Sequence, residues 1–271
     1  MDLCTSIDCN RFRMITILRG LIRLVLFILV LTFFVLRLLI TGLFKGLTLK
    51  LGLKHRRQCC RALIKVLGIK VETKGNIHSG NYLFISNHRC YLDPVAQLKD
   101  IVALPVAKAE VEKIPILGFG AKITGIHFVK RENMRSRKET RDNIAETILD
   151  GNAILIYPEG TTIKKPLSGA FKPGTFRMAA RNKIQIVPVA IEYVHPDDPW
   201  VGPESMPIHF LRNFGKRHKK IKIHYGEPVW MEDGEKLRVE VRSWIDKELM
   251  AIRAQWGLPV AGGKAAIKTG N

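Results

Sequence analysis

Acidic side chains are scarce in this 271-residue chain: 24 Asp and Glu stand against 44 Lys and Arg, for a net charge of +20. Such an excess favours a polyanionic surface, either nucleic acid or anionic lipid. Cysteine is sparse and odd in number. Cys4, Cys9, Cys59, Cys60 and Cys90 all fall in the first third, which excludes a disulfide framework and gives no zinc spacing. Reduced thiols facing a cytosol and no metal site are the resulting expectation. The chain has no internal repeat and no low-complexity linker. No small-residue cleavage site follows the first apolar run, so a cleaved signal peptide is not expected. An aromatic-and-basic RNA-binding motif is also missing, which removes nucleic acid as an expected partner.

Anionic membrane lipid is the polyanion that the N-terminus favours. Residues 24–36 (LVLFILVLTFFVL) carry no charge, and the apolar character resumes after Arg37 as far as Phe44. Residues 24–44 together give about the ~20 residues that a bilayer core requires. Arg11, Arg13, Arg19 and Arg23 precede the run, and Lys45, Lys50, Lys54, Arg56 and Arg57 follow it. Basic flanks on both sides give no positive-inside bias. On a continuous helix Arg19, Arg23 and Arg37 share one stripe. Both facts favour a segment that enters one leaflet and returns, bending near Gly42 or Gly46, over a single-pass anchor. Its arginines would snorkel to phosphates. Residues 55–67 (HRRQCCRALIKVL) read as a basic amphipathic helix on the membrane surface. The expected organisation is therefore membrane-embedded and interfacial helices over 1–67, one folded domain over 68–256 and a flexible Gly- and Ala-rich tail over 257–271. The expected location is the cytoplasmic face of the inner or cytoplasmic membrane.

Beyond residue 68, short apolar runs alternate with helical periodicity. Strands are predicted over 69–73, 82–86, 101–107, 126–130, 153–157, 184–192 and 220–225, and helices over 94–99, 111–123, 134–150, 176–182 and 235–256. This alternation predicts an α/β fold with a mixed, largely parallel sheet flanked by helices. Sites in such sheets lie beyond the carboxyl ends of strands, where His88, Arg131 and Glu159 stand.

The strand over 82–86 runs into Asn87-His88-Arg89-Cys90-Tyr91-Leu92-Asp93-Pro94. Histidine accepts a proton near neutral pH, and a carboxylate on its other ring nitrogen fixes the tautomer and stabilises the imidazolium. Asp93-Pro94 is also a good helix start, with Asp as N-cap and Pro at the first helical position; His88 would then be a loop histidine. Cys90 as a nucleophile is a third option. Gly125-Ile126-His127-Phe128-Val129-Lys130-Arg131 is either a solvated strand end or a phosphate clamp. Tyr157-Pro158-Glu159-Gly160-Thr161-Thr162 is either an ordinary turn or a fixed carboxylate with hydroxyls for an acceptor. Lys172 lies beside Gly174 at a helix start, a usual place for an anion. Pro188, within an apolar run, marks either an edge strand or bulge, or the wall of a groove for an apolar chain.

Taken together, Asn87-His88-x4-Asp93, Gly125-x2-Phe128-x2-Arg131, Pro158-Glu159-Gly160-Thr161 and Val187-Pro188-Val189 resemble the four blocks of the glycerolipid acyltransferases, the 1-acyl-sn-glycerol-3-phosphate (lysophosphatidate) acyltransferases and their relatives. The stretch from Pro105 to Glu110 also looks like this family, and the resemblance covers residues 69–229. It implies that fold and transfer of a fatty acyl group from a thioester, acyl-CoA or acyl carrier protein, to a lyso-phospholipid hydroxyl, with phosphatidate as product and no cofactor. His88 would be the general base and Asp93 its orienting partner. Asn87, Gly125, Phe128, Arg131, Glu159, Gly160, Thr161 and Pro188 would shape the substrate site; Lys172 joins them on charge and position. Two departures stand out: Thr162 replaces the arginine that usually follows the third block, and Lys130 replaces an acidic residue. The first leaves lyso-ornithine lipid as an alternative acceptor. A catalytically silent, basic lipid-binding protein is the rival of another class.

Overall fold

The structure is a computed structural model that describes residues 6–129, 134–216 and 218–260. Each predicted strand forms: β1 (Ile69–Lys74), β2 (Leu83–Ser86), β3 (Leu104–Lys108), β4 (His127–Val129), β5 (Ile154–Ile156), β6 (Ile186–Tyr193) and β7 (Lys219–Tyr225). They make one sheet in the order β1-β7-β6-β2-β5-β3-β4. All neighbours are parallel except β6 and β7. Side chains alternate across a strand, and the two cores follow this period. Phe84, Leu155, Val187, Val189, Ile191 and Tyr193 face one layer. Leu83, Ile85, Ile154, Ile156, Ile186 and Ala190 face the other.

The first layer holds α2 (Leu49–Val66), α3 (Asp93–Leu98) and α7 (Met206–Phe214), which contribute Cys60, Ile64, Ala96, Leu98, Phe210 and Phe214. The second holds α5 (Met134–Leu149), α6 (Gly174–Arg181) and α8 (Gly234–Gln255). In α8 the buried residues Leu237, Val241, Ile245 and Leu249 recur every four positions and form one apolar stripe. Asp233 caps that helix by accepting from the Glu235 and Lys236 amides.

Three points differ from expectation. The helix predicted over 111–123 is two pieces, a 3-10 turn at Ala109–Lys113 and α4 at Leu117–Ile123. Pro115 divides them: it has no N–H to donate and holds the preceding Ile114 in extended backbone, with φ −75° and ψ 119°. Helix α7 was not predicted at all. Pro188, expected on an edge or bulge, lies on a central strand paired on both sides, beside Ile85 and just where β7 ends.

The N-terminal helix α1 (Ser6–Lys45) is one continuous 40-residue rod. Of the two glycines proposed for a bend, Gly42 lies within it. Gly46, at φ +76°, makes the turn into α2, a left-handed conformation that favours glycine. Helix α1 lies along the domain. Within its N-terminal half Gly20 sits so close to α7 that a Cβ there would stand 2.7 Å from the Leu211 carbonyl oxygen. Phe27 meets Phe210 edge-on at 5.7 Å, and near the far end Thr41 reaches His55 of α2 at 3.3 Å. Two arginines expected to reach lipid phosphates have protein partners. Arg19 donates to the Gly215 carbonyl, and Arg23 donates to those of Phe214 and Lys216. They satisfy the orphan carbonyls at the end of α7. Helix α2 behaves similarly: Arg57 and Arg61 donate to the Lys99 carbonyl.

Candidate active site

Strands β2 and β5 are neighbours and parallel, so the chain leaving β2 at His88 and the chain leaving β5 at Glu159 meet at one end of the sheet. His88 Nδ1 lies 2.8 Å from Asp93 Oδ2. The same carboxylate oxygen accepts from the Arg89 and Cys90 amides at 2.6 and 2.9 Å. The other oxygen, Oδ1, accepts from the Tyr193 hydroxyl at 2.7 Å. Asp93 is fully buried, and these four donors replace its water. It does not act as N-cap: Leu92 holds that position, and Asp93 opens α3 while folding its carboxylate back onto the loop before it. The His88 ring stacks on Tyr157, with centroids 4.2 Å apart. With Nδ1 held by Asp93, Nε2 is the nitrogen left to serve a substrate.

Glu159 holds this loop from the other side. One oxygen accepts from the His88 amide at 2.8 Å and the other from the Gly169 amide at 2.7 Å. Burial pushes its pKa up, and the two amide hydrogen bonds oppose that shift. Glu159 is thereby a clamp on the histidine loop, with one backbone amide on each carboxylate oxygen. Asn87 is likewise structural. Its Nδ2 donates to the Ile191 carbonyl and its Oδ1 accepts from the Ile191 amide, so it stitches the end of β2 to β6. Gly160 takes φ +73° and Gly125 φ +78°; a Cβ on Gly125 would press on Leu49 and Leu104 at 2.7 and 3.0 Å. These two motif glycines are required by the backbone. Cys90 is buried and its thiol is pushed up to about 12, by burial first and by Asp93 next, which makes it a poor nucleophile.

A cavity of about 460 Å³ opens beside His88, within the ~300–1,000 Å³ of small-molecule sites. Its walls are mainly apolar: Phe27, Leu31, Phe34 and Leu38 of α1, Cys59 and Leu63 of α2, Val95 and Leu98 of α3, and Leu117 and Ala121 of α4. Thr161, Thr162, Tyr157 and Trp200 share it with His88. Arg56 also lines it, and donates to the carbonyls of Ala103 and Thr124. Register places Leu104 level with Leu83 through their common partner Ile154. Ala103 thus sits at the start of the strands and His88 beyond their end. The cavity is lined by Pro105 to Lys108 of β3, on the way from that level to His88.

The remaining motif residues divide. Thr161 is exposed on the cavity wall. Phe128 is half-buried on β4, outside the residues lining the cavity. Arg131 and its neighbour Lys130 lie outside the described residues. Lys172 is exposed and apart from the cavity lining, and its amide donates to the Pro158 carbonyl. Pro188 is buried in the sheet and does not form the cavity wall expected of it; that wall comes from α1, α2, α3 and α4.

Sequence reasoning missed three residues. Tyr157 reads in the sequence only as the end of a strand and the start of a turn. Tyr193 shares the phase of Val187, Val189 and Ile191, which sets it on the Asp93 side of the sheet. Trp200 lies in the segment before the unforeseen α7. Its amide donates to the Arg89 carbonyl and its carbonyl accepts from the Thr162 hydroxyl, so it ties the first and third motifs together. No local pattern would have placed it there.

A mixed, largely parallel sheet with a carboxylate-backed histidine beside an apolar cavity is an arrangement suited to acyl transfer, and residues 68–192 match the family model described as "Acyltransferase". It is similar to the lyso-ornithine lipid O-acyltransferase of Brucella abortus (strain 2308), with 27% identity over 190 residues that cover 63% of this chain and 71% of that protein. It is also similar to a chloroplastic 1-acyl-sn-glycerol-3-phosphate acyltransferase of Arabidopsis thaliana, 29% identical over 126 residues, 45% of this chain and 35% of that protein's length. The fold matches the crystal structure of the 1-acyl-sn-glycerophosphate acyltransferase PlsC from Thermotoga maritima. The TM-score is 0.74 with 19% identity, covering 90% of this chain and 99% of that one.

Proposed function

We propose that the protein is a membrane-associated O-acyltransferase that moves a fatty acyl group from acyl-CoA or acyl carrier protein to the free hydroxyl of a lyso-phospholipid, 1-acyl-sn-glycerol-3-phosphate giving phosphatidate. The carrying observation is the His88–Asp93 pair facing an apolar cavity. The acyl chain lies in the cavity with its thioester carbonyl beside His88. His88 Nε2 accepts the proton of the acceptor hydroxyl as the oxygen attacks that carbonyl. Asp93 stabilises the imidazolium. The carbon–sulfur bond then breaks, and the leaving thiolate takes the proton from His88. A thioester is already activated, so no acyl-enzyme on Cys90 is needed.

The way α1 docks favours a helix held in one leaflet over a single-pass span, although without the bend at Gly42 that the sequence suggested. Contacts from Gly20 to Thr41 run along the domain for about 32 Å at 1.5 Å per residue. A perpendicular span would drag α2 and α7 into hydrocarbon roughly 30 Å thick. Helix α1 therefore lies in one leaflet, where both the lyso-lipid and the acyl chain reside. The net charge of +20 suits anionic lipid on the cytoplasmic face.

Lyso-ornithine lipid is the second acceptor to consider. The Thr162 hydroxyl is committed to Trp200, so the position that usually carries arginine supplies no cation, and the Brucella relative is named for that acceptor. The test is acyl transfer on membranes carrying the protein, comparing lysophosphatidate with lyso-ornithine lipid, with His88→Ala as control. Turnover of lysophosphatidate that vanishes in His88→Ala is the expected result. Turnover of the amino-lipid alone moves the protein to the second acceptor. Silence on both leaves a lipid-binding protein and overturns the enzyme reading.

A further inference from the structure

Strand β6 ends in Glu192 and Tyr193, and both side chains reach the catalytic loop. Glu192 accepts from Arg89 and Arg253 at 3.0 Å each. Arg89 in turn donates to the carbonyls of Ile163, Lys165 and Pro166, holding the chain beyond Thr162 against the histidine loop. Tyr193 is 2% exposed, and its hydroxyl points at the one Asp93 oxygen that neither His88 nor a backbone amide uses. Its phase on β6 is fixed by Val189 and Ile191, which are fully buried on the same face, so the phenol has no other place to go.

Resting on the acyltransferase reading above, we infer that Tyr193 is a positioning residue that sets the proton affinity of the His88–Asp93 pair. A hydrogen bond to a carboxylate spreads its negative charge and lowers its pull on a shared proton. Two donors of different kinds thus share the work on Asp93. The Arg89 and Cys90 amides fix where Oδ2 sits and draw on its charge, and the phenol at Oδ1 adds the one side-chain donor that further weakens the carboxylate's pull on the imidazole proton. Burial and the neighbouring carboxylate hold the phenol's own pKa well above 10, so it stays a donor across the working range. Removing the phenol leaves Asp93 with more charge to hold the imidazolium, and more of the enzyme then carries the proton that blocks His88 as a base.

The test is the pH dependence of acyl transfer in Tyr193→Phe. The acid limb of kcat/KM is expected to move up by about one pH unit, the loss of one charge-assisted hydrogen bond, with kcat reduced and KM for the thioester unchanged. Incorporating 3-fluorotyrosine at 193, a stronger donor of nearly the same shape, moves the limb the opposite way and covers the case in which Tyr193→Phe does not fold. Tyr225→Phe removes another buried hydroxyl, one with no partner, and leaves the limb in place. An acid limb that stays put in both Tyr193 variants overturns the inference. Activity that survives His88→Ala would overturn the base assignment itself, a separate outcome.

Discussion

Four hydrogen bonds converge on the two oxygens of Asp93, and three of them meet at Oδ2. An asparagine there keeps one oxygen for the three N–H donors and turns its amide toward Tyr193, whose hydroxyl is able to rotate and accept. Asp93→Asn is therefore expected to fold, at a cost of about 1–3 kcal/mol, while losing the charge that stabilises the imidazolium. The rate falls by roughly 10²–10⁴-fold, read by acyl transfer alongside a thermal melt. A wild-type rate in a folded variant would remove Asp93 from the mechanism. Asn87 stands beside it in the motif and does different work. Asn87→Ala strands the buried amide and carbonyl of Ile191 and costs about 2–4 kcal/mol. The expectation is a lowered melting temperature with KM unchanged. A raised KM in a fully stable variant would instead put Asn87 in contact with substrate.

At the scale of elements, the strands were legible because the central ones are short apolar runs that end in turns, while β1 (IKVETK) and β7 (KKIKIHY) alternate apolar with charged residues. The end-of-strand positions of His88 and Glu159 followed directly. What each motif residue touches was not legible. That Glu159 and Asn87 serve the backbone, and that Lys172 lies away from the cavity, depends on which loops cross at the end of the sheet. Helix α7 escaped because its apolar stripe is interrupted by His209 and Asn213, two buried polar residues on its inner side. His209 gives this element a pH dependence. Burial first, and Lys219 next, push its pKa from 6.5 down to about 4. Tyr91 and its hydroxyl, Lys219, Glu204 and Arg212 face it. The folded protein holds His209 neutral, whereas the unfolded chain protonates near 6.5, so the unfolded state binds the extra proton between these values and stability falls with falling pH. The loss approaches about 3 kcal/mol by pH 4. Melting curves from pH 7 to 4 are expected to flatten in His209→Gln relative to wild type; parallel curves would show that another group carries the acid loss.

For the whole molecule, the decisive relation is between α1 and the domain. The apolar run was visible in the sequence, but its length alone admits a span as readily as an in-plane helix. Arg19 and Arg23 looked like lipid ligands and prove to be caps for α7. The face of α1 turned away from the domain presents Leu18, Leu21, Val25, Leu29, Phe33, Leu36 and Ile40 to the outside, and Phe119 of α4 and Ile208 of α7 are exposed as well. Lipid against that face satisfies it without moving the domain, whereas a span would require α1 to leave α7, α2 and the cavity it closes. Tags placed at the two termini are thus expected on the same, cytosolic, side of the membrane. Protease added to sealed, right-side-out vesicles should cut neither tag, and both should be cut once the vesicles are opened. Cleavage of one tag from the outer face would mean that α1 crosses the bilayer, and with it that the cavity beside His88 is closed by some other surface.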